Sequence, residues 1–135
     1  MKILIDTNII LDIVLERQPF VEQATQLFKA AQQANVVLFV TATTITDLYY
    51  VTRKAKGRAI ALNFITDLLQ FMDVAGVDKA VIMQALHSDI TDFEDAIQES
   101  AAKSQAINVL VTRNETDFKS SALEIHSPES FLQSL

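Results

Sequence analysis

The chain has 135 residues, half of them apolar, and its 17 acids against 11 bases give a formal net charge of −6. This length predicts one ordinary domain over residues 1–135 with one continuous core. The absence of cysteine excludes disulfides, cysteine zinc sites and thiol nucleophiles. With only two glycines, dinucleotide-binding and P-loop glycine motifs are excluded as well.

The N-terminal segment predicts a buried strand, Lys2–Ile5, that ends in Asp6. An acid after so few apolar residues matches neither a signal peptide nor a membrane anchor. No apolar run approaches the ~20 residues that a membrane helix needs. We therefore expect no membrane association and a cytoplasmic protein. A helix is expected to begin near Asn8, which leaves helix capping as an alternative role for Asp6.

The first half of the chain then alternates between helical and extended patterns. A stripe of apolar residues predicts a helix over residues 20–34, and a β-rich apolar run predicts a strand over residues 36–40. A second helix is expected over residues 43–56, where Gly57 stops it, and a third over residues 58–71.

The second half continues the alternation. Thr91 and Glu94 form an apparent capping box that opens a helix reaching about residue 105. The other predicted elements are a weaker strand at residues 73–75, a helix at 78–87, strands at 109–111 and 123–125, and a last helix with Ser127 as its cap and Pro128 at its first position. Strands alternating with helices predict an α/β fold with a parallel sheet.

Acidic residues stand at the ends of these elements. Asp6 follows the first strand, Asp95 lies in the first turn of a helix, and Asp117 follows the strand at residues 109–111. A parallel sheet brings such ends to one edge, where open α/β sheets form their ligand crevices. Carboxylates crowded together repel each other unless a cation is present. Carboxylate oxygens are the ligands that Mg²⁺ and Mn²⁺ prefer.

Four short motifs, in order, resemble those of the PIN domain family. They read Ile-Leu-Ile-Asp-Thr-Asn at residues 3–8, Thr-Thr-Ile-Thr-Asp-Leu at 43–48, Asp-Phe-Glu-Asp-Ala at 92–96, and Leu-Val-Thr-Arg-Asn-Glu-Thr-Asp-Phe at 110–118. The resemblance covers essentially the whole chain. It implies a three-layer α/β/α sandwich with a central parallel sheet. For members of the VapC toxin type it also implies an RNA substrate, cleavage with a divalent metal, a homodimer and a small antitoxin partner.

The same resemblance assigns site residues. Asp6, Asp47, Asp95 and Asp117, with Asn114, are the candidate catalytic residues, and Asp6 and Asp95 are the candidate ligands of Mg²⁺ or Mn²⁺. Two positions depart from the family pattern. Asp47 stands where Glu is usual and is one methylene shorter. Asn114 stands where many members have Asp, which lowers the negative charge of the site unless Asp117 takes over. Thr112 is expected to orient a carboxylate or to end its strand.

Basic residues supply candidate RNA contacts. Arg53, Lys54 and Lys56 lie at the end of one predicted helix, where they either bind the RNA backbone or complement the helix dipole. Arg113, beside the candidate site, is a candidate phosphate contact. The neighbouring tyrosines at positions 49 and 50 either stack on bases or belong to the core.

Two other functions remain open. The departures at Asp47 and Asn114 also suit a PIN-like module that binds RNA or protein without cutting. An aspartyl phosphohydrolase is a weaker alternative, because that chemistry needs Asp-x-Asp after the first strand and Asn8 stands at the second position. It also needs a lysine near the end of a late strand, for which Lys119 is poorly placed.

Overall fold

In the computed structural model, which describes residues 1–135, five strands form one sheet in which every neighbouring pair is parallel. The strands are β1 (Lys2–Ile5), β2 (Val37–Thr41), β3 (Met72–Ala75), β4 (Val109–Val111) and β5 (Glu124–His126), arranged in the order β3-β2-β1-β4-β5. A parallel sheet covered on both faces needs apolar strands. The central strand β1 has this character, since its residues 3–5 are fully buried.

Helices cover both faces of the sheet. They are α1 (Thr7–Val14), α2 (Phe20–Gln33), α3 (Ala42–Lys56), α4 (Arg58–Leu68), α5 (Lys79–Leu86), α6 (Phe93–Ser104) and α7 (Pro128–Ser134), with a 3₁₀ turn at Glu115–Phe118. Alternate β1 side chains separate two cores. Ile3 and Ile5 pack with α1, α2, α3, α4 and α7, while Leu4 packs with α5 and α6. The predicted three-layer α/β/α sandwich is therefore confirmed.

Each core is filled by residues that the sequence pattern places inward. Leu27 of α2 and Leu48 of α3 are fully buried in one layer, and Ile107 and Phe118 are buried in the other. Burying such a side chain contributes about 1.5–3 kcal/mol relative to leaving it exposed. None of the helices has the length and apolar character that crossing a bilayer requires.

The helix caps confirm one prediction and correct another. Ser127 caps α7 by accepting a hydrogen bond from the Ser130 N–H at 3.0 Å. The capping box of Thr91 and Glu94 was a wrong prediction, because the cap of α6 is Asp92, whose carboxylate accepts from the Asp95 N–H at 3.0 Å. The helix thus begins one residue later than the predicted capping box requires, and the Glu94 side chain is exposed.

The strand order places the functional edge of the sheet. From β1 the chain proceeds to β2 and β3 on one side, and β4 then pairs with β1 on the other side. The point where the order reverses leaves a crevice beyond the carboxyl ends of the two strands. Asp6 follows β1 and Thr112 follows β4 at this point, and the Asp6 N–H donates to the Val111 carbonyl at 3.0 Å.

Candidate functional site

A cavity of about 360 Å³ opens beyond the carboxyl ends of β1 and β4. Its lining contains all five predicted catalytic residues: Asp6, Asp47, Asp95, Asn114 and Asp117. Asp92 and Glu94 add two further acids, and neither lysine nor arginine lines the cavity. The structure therefore gathers acids from distant parts of the sequence without placing a basic side chain among them.

Asp6 is the most deeply buried acid of the cavity, with 5% of its surface exposed. It occupies the N-cap position of α1, yet its side chain makes no capping hydrogen bond. Instead one carboxylate oxygen accepts from the Thr112 hydroxyl at 2.7 Å and the other from the Gln98 amide at 3.1 Å. Helix capping is thus excluded as its role, and Thr112 orients this carboxylate.

A chain of threonine hydroxyls fixes the start of α3 against the start of α1. The Thr41 hydroxyl caps α3 by accepting from the Thr44 N–H at 3.2 Å, and the Thr44 hydroxyl lies 2.8 Å from that of Thr7. Asp47 lies about one helical turn further along α3 and is half-buried at the cavity. Burial raises the pKa of Asp47 above its ordinary value.

Two acids at the start of α6 respond to the crowding. Burial raises the pKa of Asp95 to about 7, and the charges of Asp6, Asp92, Asp117 and Glu94 add to the rise. The pKa of Glu94 is also raised, most of all by the charge of Asp47 and next by burial. Like charges in a poorly solvated space favour the protonated form. The acids of this cavity therefore repel one another in their ionised forms.

The donors of this cavity fit a hard divalent cation in kind. They are carboxylate, amide and hydroxyl oxygens, the ligands that Mg²⁺ and Mn²⁺ take, and Mg²⁺ commonly binds only one or two protein carboxylates directly. No three acids converge closely enough to form a ready-made cation cage. Asp6, held on both oxygens, and the neighbouring Asp95 are the residues suited to hold an ion.

Arg113 lies outside the cavity and is engaged elsewhere. Its guanidinium donates to both carboxylate oxygens of Asp12, at 2.7 and 3.0 Å, and stacks 3.9 Å above the Phe20 ring. Asp12 is 1% exposed and also has Arg17 at 3.7 Å. The pair with the buried Asp12 gives Arg113 a structural role in this fold. Its contact with phosphate stays a prediction.

The other predicted RNA contacts lie at the exposed end of α3. Arg53, Lys54 and Lys56 occupy its last turn, and Lys56 lies 4.0 Å from Glu16 at the surface. Lys54 lines a shallow second cavity of about 670 Å³ with the exposed Tyr50 and with Val51. Val51 also lines the acidic cavity, so the two cavities are neighbours.

A third cavity adjoins the acidic one. It encloses about 430 Å³, shares Asp92, Asp95 and Asp117 with the acidic cavity, and is also lined by Lys119. Lys119 was not predicted as a contact, and neither was Gln98, the second donor to Asp6. The charge of Lys119 offered a weak signal in the sequence, whereas a glutamine within a helix offered none.

Comparisons with known proteins agree on one family. The family profile described as PIN domain matches residues 2–116. Ribonuclease VapC1 of Aquifex aeolicus (strain VF5) is 26% identical over 137 residues, covering 98% of this chain and 94% of the relative.

Solved structures share the fold. DNA-bound VapBC from Salmonella typhimurium matches with a TM-score of 0.72 and 17% identity, over 95% of this chain and 98% of that one. Mycobacterium tuberculosis VapC20, described as a sarcin-ricin loop cleaving toxin, matches with a TM-score of 0.66 and 15% identity, over 80% of this chain and 86% of that one. At such identities the likeness is one of fold.

Proposed function

Because this chain belongs to the PIN domain family, we propose that it is a metal-dependent endoribonuclease of the VapC type, folded as a single domain over residues 1–135. The observation that carries the proposal is the cavity lined by six acids without a base, where the pKa of Asp95 rises to about 7. The name of the Aquifex aeolicus relative, a ribonuclease, supports the same activity.

We assign separate tasks to the acids. Asp6 and Asp95 hold Mg²⁺ or Mn²⁺, which when bound supplies charge neutralisation at the phosphate and activation of the attacking water. The carboxylates of Asp47 and Asp117 orient that water and accept its proton, a task that suits a raised pKa such as that of Asp47. The side-chain amide of Asn114, at the cavity wall, positions the phosphate or the water.

The neighbouring cavities, which share lining residues, suggest how RNA lies across the site. Lys54 stands at one end and Lys119 at the other, with the acidic cavity between them. A cation at each end attracts the phosphates that flank the scissile bond, while the central acids require an ion before they accept a phosphate. Tyr50, 63% exposed beside Lys54, offers a ring for stacking on a base.

We also propose an antitoxin partner and a homodimer. Several structural neighbours are described as toxin–antitoxin or VapBC complexes, among them one from Klebsiella pneumoniae. Large apolar side chains remain exposed on α4 and α5, including Ile60, Met83 and Leu86. Exposed apolar side chains of this kind suit association with other chains. We therefore expect the free protein to cleave RNA and a bound antitoxin to suppress this cleavage.

The experiment is cleavage of a structured RNA by purified protein in Mg²⁺ or Mn²⁺, with EDTA and with Asp6→Asn as the two negative arms. We expect cleavage in the metal buffers alone, and a loss of about 10²–10³-fold in Asp6→Asn, the size of effect seen when one charge-stabilising group is removed. Cleavage that survives in Asp6→Asn would indicate a contaminating nuclease and overturn the assignment.

A second candidate function is a PIN-type module that binds RNA or protein without cutting. It is favoured by the weaker charge at Asn114, the short Asp47 side chain and the absence of three converging acids. Calorimetric titration with Mg²⁺ and Mn²⁺ separates the two candidates. A nuclease binds one of the ions in the millimolar range or tighter, whereas the module shows no binding heat.

A further inference from the structure

Gln98 lines the acidic cavity but has no part in the tasks assigned above. It lies on α6 one turn after Asp95, is 4% exposed, and its Nε2 donates to an Asp6 carboxylate oxygen at 3.1 Å. Carboxylate oxygens only accept hydrogen bonds, so the amide nitrogen must face Asp6 and the amide oxygen must face away. The orientation of Gln98 is therefore fixed by its partner.

Asp6 is held from two sides by this contact and by Thr112. The Thr112 hydroxyl donates to the other Asp6 oxygen at 2.7 Å, and it accepts from the Asn114 N–H at 3.0 Å. A hydrogen-bonded row thus runs from the loop after β4, through Asp6, to α6. Because neither donor carries a charge, the row fixes the direction of the carboxylate without neutralising it.

The amide of Gln98 is costly to the fold. Its Oε1 is buried and accepts no hydrogen bond. A buried acceptor without a donor destabilises the folded state, and an apolar side chain of equal length would avoid this. The contact that compensates for the lone Oε1 is the hydrogen bond to Asp6. A residue that serves stability alone at this position would be apolar, as its neighbours Ala96, Ile97 and Ala101 are.

We propose that Gln98 is a positioning residue for phosphodiester cleavage, holding the Asp6 carboxylate in the direction in which it binds a divalent cation. This inference rests on the proposed nuclease function. It acts through Asp6, not on RNA. Residues that orient a ligand in this way commonly change metal affinity or activity about 10–100-fold when they are replaced.

The test replaces the amide while keeping the length of the side chain. Gln98→Met removes both the donor to Asp6 and the lone Oε1. Thr52→Val is the matched control, because the Thr52 hydroxyl is also buried without a partner but does not line the cavity. Three quantities are measured for each protein: the unfolding temperature without metal, the Mn²⁺ affinity by calorimetry without RNA, and kcat and KM on RNA.

We expect Thr52→Val to unfold at or above the wild-type temperature, since it loses an unsatisfied buried polar atom. Gln98→Met should unfold close to the wild-type temperature, because the loss of the lone Oε1 offsets the loss of the hydrogen bond to Asp6. Only Gln98→Met should lose Mn²⁺ affinity and kcat, each by about 10–100-fold, with KM for RNA changed little. Gln98→Glu, which presents an acceptor where Asp6 needs a donor, should lower kcat to a similar extent. A wild-type kcat and Mn²⁺ affinity in Gln98→Met would overturn the proposal.

A loss of stability and activity in parallel in Gln98→Met would equally overturn it, because that pattern marks a structural role. The proposed function fails differently. If the wild-type protein neither binds Mn²⁺ nor cleaves RNA, the nuclease assignment is wrong and the role of Gln98 is lost with it. If the wild-type protein does both and Gln98→Met does the same, only the positioning role is wrong.

Discussion

Asp6 and Asp12 are both buried acids, but their surroundings carry opposite charge. Asp6 precedes α1 at its N-cap position, and Asp12 lies within α1, six residues later. Asp12, 1% exposed, accepts two hydrogen bonds from Arg113 and has Arg17 within 3.7 Å. Asp6, 5% exposed, accepts from two neutral groups and faces further acids. One carboxylate has its counter-charge built into the chain, and the other does not.

This difference in counter-charge indicates a structural role for Asp12 and a functional role for Asp6. Burying a charge is costly unless a partner charge and hydrogen bonds compensate for it. The Asp12 cluster meets this requirement within the protein and joins α1 to the loop after β4. The acidic cavity leaves the requirement unmet, and the raised pKa values of Asp95 and Glu94 are the sign of it. The proposed divalent cation would supply the counter-charge that the chain itself does not provide.

The largest expected contrast comes from the same isosteric change at both acids. Asp12→Asn leaves Arg113 and Arg17 without a counter-charge and should lower the free energy of unfolding by about 3 kcal/mol. This value is at the lower end of the range for a broken buried ion pair, because both arginines keep partial solvent contact. Asp6→Asn relieves repulsion as it weakens hydrogen bonds, so the change should stay within about 1 kcal/mol. Urea denaturation in EDTA measures both, and equal losses would remove the distinction.

Divalent metal should stabilise the protein through the acidic cavity around Asp6 and not through the Asp12 cluster. A ligand that binds the folded form alone at about 100 times its Kd adds roughly 2.7 kcal/mol to the free energy of unfolding. We expect Mn²⁺ to raise the unfolding temperature of the wild-type protein and of an Arg113→Lys variant, whose acidic cavity is intact. Asp6→Asn should show no such rise. A rise in that variant as large as in the wild type would place the ion elsewhere.

The metal-free protein should lose stability as pH rises. The pKa of Asp95 is about 7 in the folded protein against 3.8 in the reference state, so the folded form holds an extra proton between these values. Its contribution is therefore complete below about pH 4 and is lost as pH rises through about 7. The raised pKa values of Asp47 and Glu94 act in the same direction.

Denaturation in EDTA at about pH 5 and about pH 8 checks this sign. Asp95→Asn should flatten the decline, and Mn²⁺ should reverse it because the ion binds the ionised carboxylates. An apo protein that gains stability across this window would mean that the cavity acids are paired by cations after all.

The smallest effect on RNA binding is expected from Lys54, which lines the second cavity, because an exposed charge is screened by salt. Lys54→Gln should weaken RNA binding modestly and reduce the slope of log affinity against log salt by about 0.7–1 for one lost phosphate contact. Lys29→Gln, which removes an equal charge from α2, is the control and should leave the slope unchanged. Equal slopes for the wild type and both variants would remove Lys54 from the RNA path.

Most of the fold was predictable because buried parallel strands and amphipathic helices leave strong local patterns. Strands β1 and β4 were predicted at the bounds that the structure has. Strand β3 was the weakest prediction, since Asp73 and Val74 are exposed at the sheet edge and interrupt the apolar run. The 3₁₀ turn at Glu115–Phe118 was expected only as a loop, because four residues carry no helical period.

The site was predictable where a residue's place depends on topology. Asp6 and Asp117 follow strands, and a parallel sheet brings such positions together; their catalytic roles stay predictions. The ion pair of Arg113 with Asp12 was missed because the two residues lie 101 positions apart in the chain. Gln98 was missed because its contact with Asp6 spans 92 residues. Side-chain pairing over such separations depends on packing that no local pattern records.

We propose that a divalent cation balances the charge of the acidic cavity around Asp6, whereas Arg113 and Arg17 balance the charge of Asp12. A crystal of the protein soaked in Mn²⁺ and measured for anomalous scattering tests this directly. The predicted result is one strong peak in the cavity, in contact with the Asp6 and Asp95 carboxylates, and none at Asp12. A cavity without a peak at saturating Mn²⁺ would contradict the account.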